Sequence, residues 1–266
     1  MENTRLAAKL DLLRRRLTAL SPGLLALSGG LDSRVLAHLA WSWELEFRAV
    51  HVRGPHVPPA ETAYALAWAA SLGKTLEILD VDPLAHEGVC VNDKTRCYHC
   101  KKAMFQSLGA WAERLGLSCM IEGSQASDAT VYRPGRQALA ELGIVSPMAE
   151  VDLSKPELRA IARSTGMADP EQAARPCLLT RLEYGLRPTQ DMLAHLAACE
   201  AELAVMGLLD FRLRMHRDGR AVLQVSMTEA GLAERLARPI SEALQRHGLG
   251  HAELLVTGSV SGYFDN

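Results

Sequence analysis

Ser28-Gly29-Gly30-Leu31-Asp32-Ser33 puts two adjacent glycines, two hydroxyls and a carboxylate into six residues. Set between a strand and a helix, such a loop converges its backbone N–H groups and the positive helix end on an anion. Gly29 and Gly30 permit a close approach that a Cβ would block. Ser28 and Ser33 can donate to phosphate oxygens, and Asp32 can hold Mg²⁺ directly or through water. The pattern reads as a pyrophosphate cradle, with a ligand-free glycine-rich βα turn as the plain alternative. It fits neither GxxxxGK[ST] nor GxGxxG.

Cys97-Tyr98-His99-Cys100 is a CxxC at a loop-to-helix junction. Two thiols so spaced can share a metal or cluster, form a redox pair, or simply be structural. Arg96 and the helix N-terminus favour the thiolate. Cys177 lies in Ala174-Arg175-Pro176-Cys177-Leu178-Leu179-Thr180-Arg181, a junction loop with basic residues on both sides. That is a better place for a reactive thiol than for a packing one. Cys90, Cys119 and Cys199 have no partner spacing and read as core or incidental thiols.

Arg181, Arg212 and Arg214 suit a substrate bearing phosphate and carboxylates, since guanidinium binds both in bidentate fashion. Alternation along a strand puts Arg212 and Arg214 on one face, which is equally the pattern of a solvated strand face. Asp128 falls after the fourth expected strand, at the carboxyl edge of the sheet where ligands bind, as an orienter of metal or nucleotide or as an ordinary surface-loop acid. Arg133 is a less defined candidate. His51 and His56 stand near the end of the second strand, as adenine neighbours or as ordinary loop histidines.

The elements that must position these groups follow from periodicity. Leu6, Leu10, Leu13, Leu17 and Leu20 form one helical stripe. Strands are expected at 24–27, 47–52, 76–81 and 119–121, with helices at 34–43, 59–72, 98–115 and 136–142 between or after them. This alternation predicts an α/β fold, a doubly wound parallel sheet covered on both faces. Ser154-Lys155-Pro156-Glu157 opens a further helix with a capping-box pattern. Past a boundary loop at 168–176, a helix at 188–206, strands at 211–215 and 221–225, a helix at 229–247 and a strand at 253–256 predict a smaller α+β domain. The expected division is 1–170 for nucleotide binding and 171–266 for substrate and assembly, the latter including the cysteine-bearing loop.

The chain has 266 residues, 29 Lys plus Arg against 31 Asp plus Glu, and 48% hydrophobic residues. That balance lacks the overall basic footprint of nucleic-acid binders. No apolar run reaches the ~18 residues of a membrane span. Six cysteines are too few for a disulfide scaffold at this length. The expectation is a cytoplasmic protein with neither nucleic acid nor membrane as partner.

The loop resembles the signature of the PP-loop ATP pyrophosphatase superfamily. The resemblance continues through Arg96-Cys97-Tyr98-His99-Cys100-Lys101-Lys102, Glu122-Gly123-Ser124, Asp128, Tyr132-Arg133-Pro134-Gly135, Ser146-Pro147-Met148, Pro176 to Arg181, Tyr184-Gly185, Arg212 to His216 and Gly258-Ser259. In this order and over nearly the whole chain, it is similar to the LarE family of pyridinium-3,5-biscarboxylic acid mononucleotide sulfurtransferases. The resemblance implies a PP-loop fold, ATP and Mg²⁺ as reactants, and adenylation of a substrate carboxylate followed by conversion to a thiocarboxylate in nickel-pincer cofactor synthesis. It also implies self-association and a source of sulfide or another sulfur donor.

Two sulfur routes belong to the family. In one, a single cysteine, matched by Cys177, gives up its own sulfur. In the other, three cysteines, matched by Cys97, Cys100 and Cys177, hold a [4Fe-4S] cluster; all three are present, so the cluster route fits better, with zinc behind the sacrificial route. The expectation is that nucleotide chemistry and the three thiols meet in one pocket. Leu31, Arg34 and Leu178-Leu179-Thr180 depart from the commoner family residues. An ammonia-using PP-loop synthetase and a nonenzymatic nucleotide or iron-sulfur binding protein are the competing readings.

Overall fold

The leucine stripe near the N-terminus becomes α1 (Glu2–Leu20), and the apolar run after it becomes β1 (Gly23–Ala26). Then follow α2 (Leu31–Ser42), β2 (Phe47–Arg53), α3 (Pro59–Ser71), β3 (Leu76–Asp80), α4 (Glu87–Cys90), α5 (Arg96–Arg114), β4 (Met120–Ile121), α6 (Pro134–Glu141), α7 (Pro147–Glu150) and α8 (Lys155–Ser164). A 3₁₀ turn at Leu178–Arg181 leads to α9 (Gln190–Val205), β5 (Phe211–Met215), β6 (Ala221–Ser226), α10 (Ala230–Arg235), α11 (Ala237–Arg246) and β7 (Ala252–Thr257). The structure is a computed structural model and describes residues 2–127 and 134–265.

Two compact units divide the chain. The first comprises Met1–Gly54, Glu61–Val81 and Cys97–Arg175. Its sheet is parallel, in the order β3-β2-β1-β4. Period-two alternation sorts side chains to opposite faces. Leu25, Leu27, Phe47 and Ala49 point into a core with residues of α1, α2, α3 and α8. Leu24 and Val50 point into another with Phe105, Leu108 and Ala112 of α5 and Leu139 of α6. The doubly wound sheet is thus present as expected. The chain runs outward from β1 through β2 to β3, then returns to set β4 on the other side, so the switch point lies past the ends of β1 and β4.

The second unit comprises Pro55–Ala60, Asp82–Arg96 and the chain from Pro176 onward. Its three-stranded sheet has the order β5-β6-β7, antiparallel between β5 and β6 and parallel between β6 and β7. All six residues of the central strand are buried. The single helix expected at 229–247 is two helices meeting at Leu236. Pro239 explains the break: it has no N–H for the Arg235 carbonyl, and its ring would collide with that carbonyl in a continuous helix. The helices α4 and α7, at four residues each, are too short for periodicity to reveal.

Candidate active site

The hexapeptide 28–33 links β1 to α2, as the sequence predicts. Gly29 has φ +84°, and a Cβ there would stand 3.1 Å from the Ala65 Cβ. Gly30 is the N-cap of α2 and has no side chain to cap with, so it does not itself compete for the first N–H groups of the helix. The loop closes on itself: the Ser28 and Ser33 hydroxyls are 3.1 Å apart, the Ser33 hydroxyl donates to the Gly30 carbonyl at 3.1 Å, and the Gly30 N–H donates to Ser28 Oγ at 3.4 Å. Behind it, the buried His51 bridges the Leu27 carbonyl at 2.9 Å and Thr62 Oγ1 at 3.0 Å. Burial holds this imidazole below its ordinary pKa, so it is a satisfied core histidine.

Lys155 reaches Asp32, with Nζ 2.5 Å from Oδ1. In sequence, Ser154-Lys155-Pro156-Glu157 reads only as a helix start. The missed signal was a cation at the first helical position, where the macrodipole disfavours it unless an anion is near. Gly123, after β4, approaches the loop from the other side of the switch point. A Cβ there would lie 2.7 Å from Ser33 N and 2.8 Å from Ser33 Cα. The Glu122 carboxylate shapes this approach by accepting from Ser124 N at 3.0 Å, from Ser124 Oγ at 2.9 Å and from Ser146 Oγ at 2.5 Å.

Cys97 is exposed and Cys100 buried, in the first turns of α5. Residues three apart on a helix are surface neighbours, so the pair can present two soft donors from one region of α5. Beyond them, Lys102 is committed to Glu141 at 2.9 Å and to the Tyr98 hydroxyl at 2.8 Å. Among the described residues, no group of three or more His, Cys, Asp or Glu side chains is arranged to hold a metal ion. Asp128 and Arg133 lie outside the described residues.

In the second unit, Cys177 is half-buried and opens the 3₁₀ turn. The turn is tied on several sides. Leu178 N donates to the His56 carbonyl at 2.8 Å, and Thr180 Oγ1 donates to the Cys177 carbonyl at 2.8 Å. The buried Arg181 donates to the Pro176 carbonyl at 3.0 Å and grips Glu200 of α9 at 3.0 and 2.8 Å. Arg214 donates to the Thr180 carbonyl at 2.7 Å and to Gln224 Oε1 at 3.0 and 2.9 Å.

Arg212 and Arg214 share one face of β5. Burial, then the charges of Arg181 and Arg212, lower the pKa of Arg214 to about 10. Arg214 therefore feels two further guanidiniums, Arg181 and Arg212, and the carboxylate of Glu200 that Arg181 grips, a cationic neighbourhood beside the Cys177 turn. Glu200 was not anticipated, though it left a trace: it sits in the apolar stripe of α9 with Leu196, Cys199 and Leu203. Burial pushes the Cys199 thiol up to about 12, in keeping with a core thiol.

No family model matches the chain. It is 31% identical over 260 residues to an uncharacterised protein of Synechocystis sp., covering 97% of each chain. It is 27% identical over 241 residues to the pyridinium-3,5-bisthiocarboxylic acid mononucleotide synthase of Lactiplantibacillus plantarum, covering 89% of this chain and 86% of that one. A stretch of 161 residues, 60% of this chain and 61% of the relative, is 29% identical to an uncharacterised protein of Methanocaldococcus jannaschii.

Proposed function

The chain belongs to the LarE family, and from that premise we propose that it is an ATP-dependent sulfurtransferase that turns a carboxylate of a pyridinium mononucleotide into a thiocarboxylate for a nickel-pincer cofactor. The observation that carries this reading is the loop 28–33 at the switch point of a doubly wound sheet, with Lys155 on Asp32 and Gly123 against Ser33. The loop supplies backbone N–H groups for phosphate oxygens, and Asp32 supplies a hard oxygen for Mg²⁺.

A carboxylate is a poor electrophile. In the proposed reaction its oxygen attacks the α-phosphorus of ATP and pyrophosphate leaves. Hydrosulfide then adds to the acyl carbon, and AMP departs with that oxygen. The balance is carboxylate, ATP and hydrosulfide to thiocarboxylate, AMP, pyrophosphate and a proton. Lys155 and Mg²⁺ offset the charge that develops on the phosphates. Arg181, Arg212 and Arg214 give an anionic acceptor a cationic neighbourhood, with Arg181 and Arg214 also holding the Cys177 turn.

The thiols fit an iron-sulfur cluster in donor chemistry, since all three are soft ligands and two lie one helical turn apart. Cys97, Cys100 and Cys177 would hold it. A [4Fe-4S] cluster with three protein ligands supplies an open iron for hydrosulfide.

The test is anaerobic incubation with Mg-ATP, sulfide and pyridinium-3,5-biscarboxylic acid mononucleotide. AMP and thiocarboxylate should form together, iron should be lost in Cys97→Ala, and Cys177 should keep its mass. A Cys177 converted to dehydroalanine would establish sacrifice instead. Absence of acceptor-dependent AMP would remove the sulfurtransferase reading altogether.

A further inference from the structure

Arg34 is fully buried, which is costly for a guanidinium unless it is thoroughly engaged. It lies 5.2 Å from the Tyr64 ring centroid and 5.6 Å from that of Trp68. It donates to the carbonyls of Ala168 at 2.7 Å and Asp169 at 3.2 Å, and to Gln172 Oε1 at 2.8 Å. Gln172 is itself buried, and its Nε2 donates to the Gly29 carbonyl at 3.2 Å. The amide orientation follows from chemistry: guanidinium only donates, so the oxygen of Gln172 must face Arg34 and its nitrogen must face Gly29.

We infer that Gln172, oriented by Arg34, is a positioning residue for nucleotide binding that sets the Gly29-Gly30 peptide plane. The inference rests on the reading of the loop as an ATP phosphate cradle. In a planar trans peptide the C=O and the following N–H point in opposite directions. Holding the Gly29 carbonyl outward therefore turns the Gly30 N–H inward, toward Ser28 Oγ and the cradle. A Gly-Gly peptide is the loosest in the loop, because neither side restricts rotation with a Cβ. It is the peptide that most needs an external hold.

The same contact ties the phosphate loop to the segment that leads toward Cys177, five positions after Gln172. Asp169, in that segment, has φ +50° and accepts from the Tyr64 hydroxyl at 2.5 Å. Arg175 lies 4.7 Å from the other partner of this arrangement, the Tyr64 ring. Arg34 of α2 thus holds Gln172, and Tyr64 of α3 holds Asp169 and Arg175 on either side of it in sequence.

The experiment measures Kd for Mg-ATP and for adenosine by calorimetry in the full chain. Gln172→Glu keeps the partner of Arg34 but turns an acceptor toward the Gly29 carbonyl; Gln172→Met removes both bonds without charge. Each should weaken ATP roughly tenfold, the worth of the one bond to the Gly29 carbonyl that both variants lose, while adenosine binding stays unchanged. Arg34→Lys, which loses the planar fork, should weaken ATP in the same sense. Wild-type ATP affinity in the Gln172 variants, or equal loss of adenosine, would overturn the inference. If those variants do not fold, unchanged ATP affinity in Arg34→Lys overturns it. A wild-type chain that binds no ATP defeats the cradle reading first, and this inference with it.

Discussion

Gly30 within the phosphate loop and Gly123 packed against it do different work, and one methyl group tells them apart. Gly30 has φ −70°, which any residue adopts, and a Cβ there meets only Ser28 Oγ at 3.5 Å. Gly123 would place its Cβ 2.7 Å from Ser33 N and 2.8 Å from Ser33 Cα, atoms of backbone that no rotamer change can clear. Gly30→Ala should therefore leave the urea midpoint unchanged while its methyl group crowds the cradle and weakens ATP. Gly123→Ala must push β4's outgoing loop off the first turn of α2, costing about 1–3 kcal/mol as overpacking does. Its ATP-to-AMP rate should fall by roughly two orders of magnitude if the displacement nears 1 Å. Equal stability and rate in Gly123→Ala and wild type would mean that the approach of β4 does not define the loop.

At the scale of elements, α8 shows how a helix start becomes part of a site. Its capping box is formed as the sequence predicts: the Ser154 side chain accepts from the Glu157 N–H and the Glu157 carboxylate accepts from Ser154 N at 2.8 Å, with a further bond from the Ser154 hydroxyl to that carboxylate at 2.8 Å. Lys9 of α1, largely buried, adds bonds to both Glu157 oxygens at 2.9 Å. This turn carries Lys155. Glu157→Ala should cost about 2 kcal/mol in urea unfolding, as a lost cap plus a weakened buried partner. It should also raise the KM for ATP several-fold, because Lys155 then projects from a frayed turn; Glu157→Gln should do less on both measures. A stability loss with no change in KM would separate the cap from the site. Strands and long helices were legible because apolar period alone defines them, and the phosphate loop because glycine and hydroxyl spacing is local. Lys155 on Asp32, Glu200 on Arg181 and Gln172 on Gly29 join residues far apart in sequence, which no local pattern encodes. Arg181 and Arg214 were legible as cations but not as the ties that hold the Cys177 turn. The α10–α11 break was written in Pro239, yet the apolar period running through it concealed it.

The chain forms two compact units but does not thread them in succession. None of its described helices is long and apolar enough to cross a membrane. The second unit takes two pieces, Pro55–Ala60 and Asp82–Arg96, from the middle of the first unit's sequence. These pieces are structural members rather than passing loops. Asn92, fully buried with φ 54°, donates to the carbonyls of Glu183 at 2.9 Å and Leu186 at 2.7 Å, and its own carbonyl accepts from Gly185 N at 2.8 Å. His56 supplies the carbonyl for Leu178 N, and Arg187 pairs with Glu87 at 2.7 Å. A chain cut before Pro176 separates these partners. Each buried polar group so stranded costs about 1–3 kcal/mol, and several together rival the ~5–15 kcal/mol that holds a domain folded. Residues 176–266 expressed alone should therefore show no cooperative melt by far-ultraviolet circular dichroism. Co-expression with 1–175 should restore one. A cooperative melt of 176–266 alone would show that α9 and its sheet carry the second unit without the borrowed segments, and that the Cys177 turn needs neither His56 nor Asn92 to form.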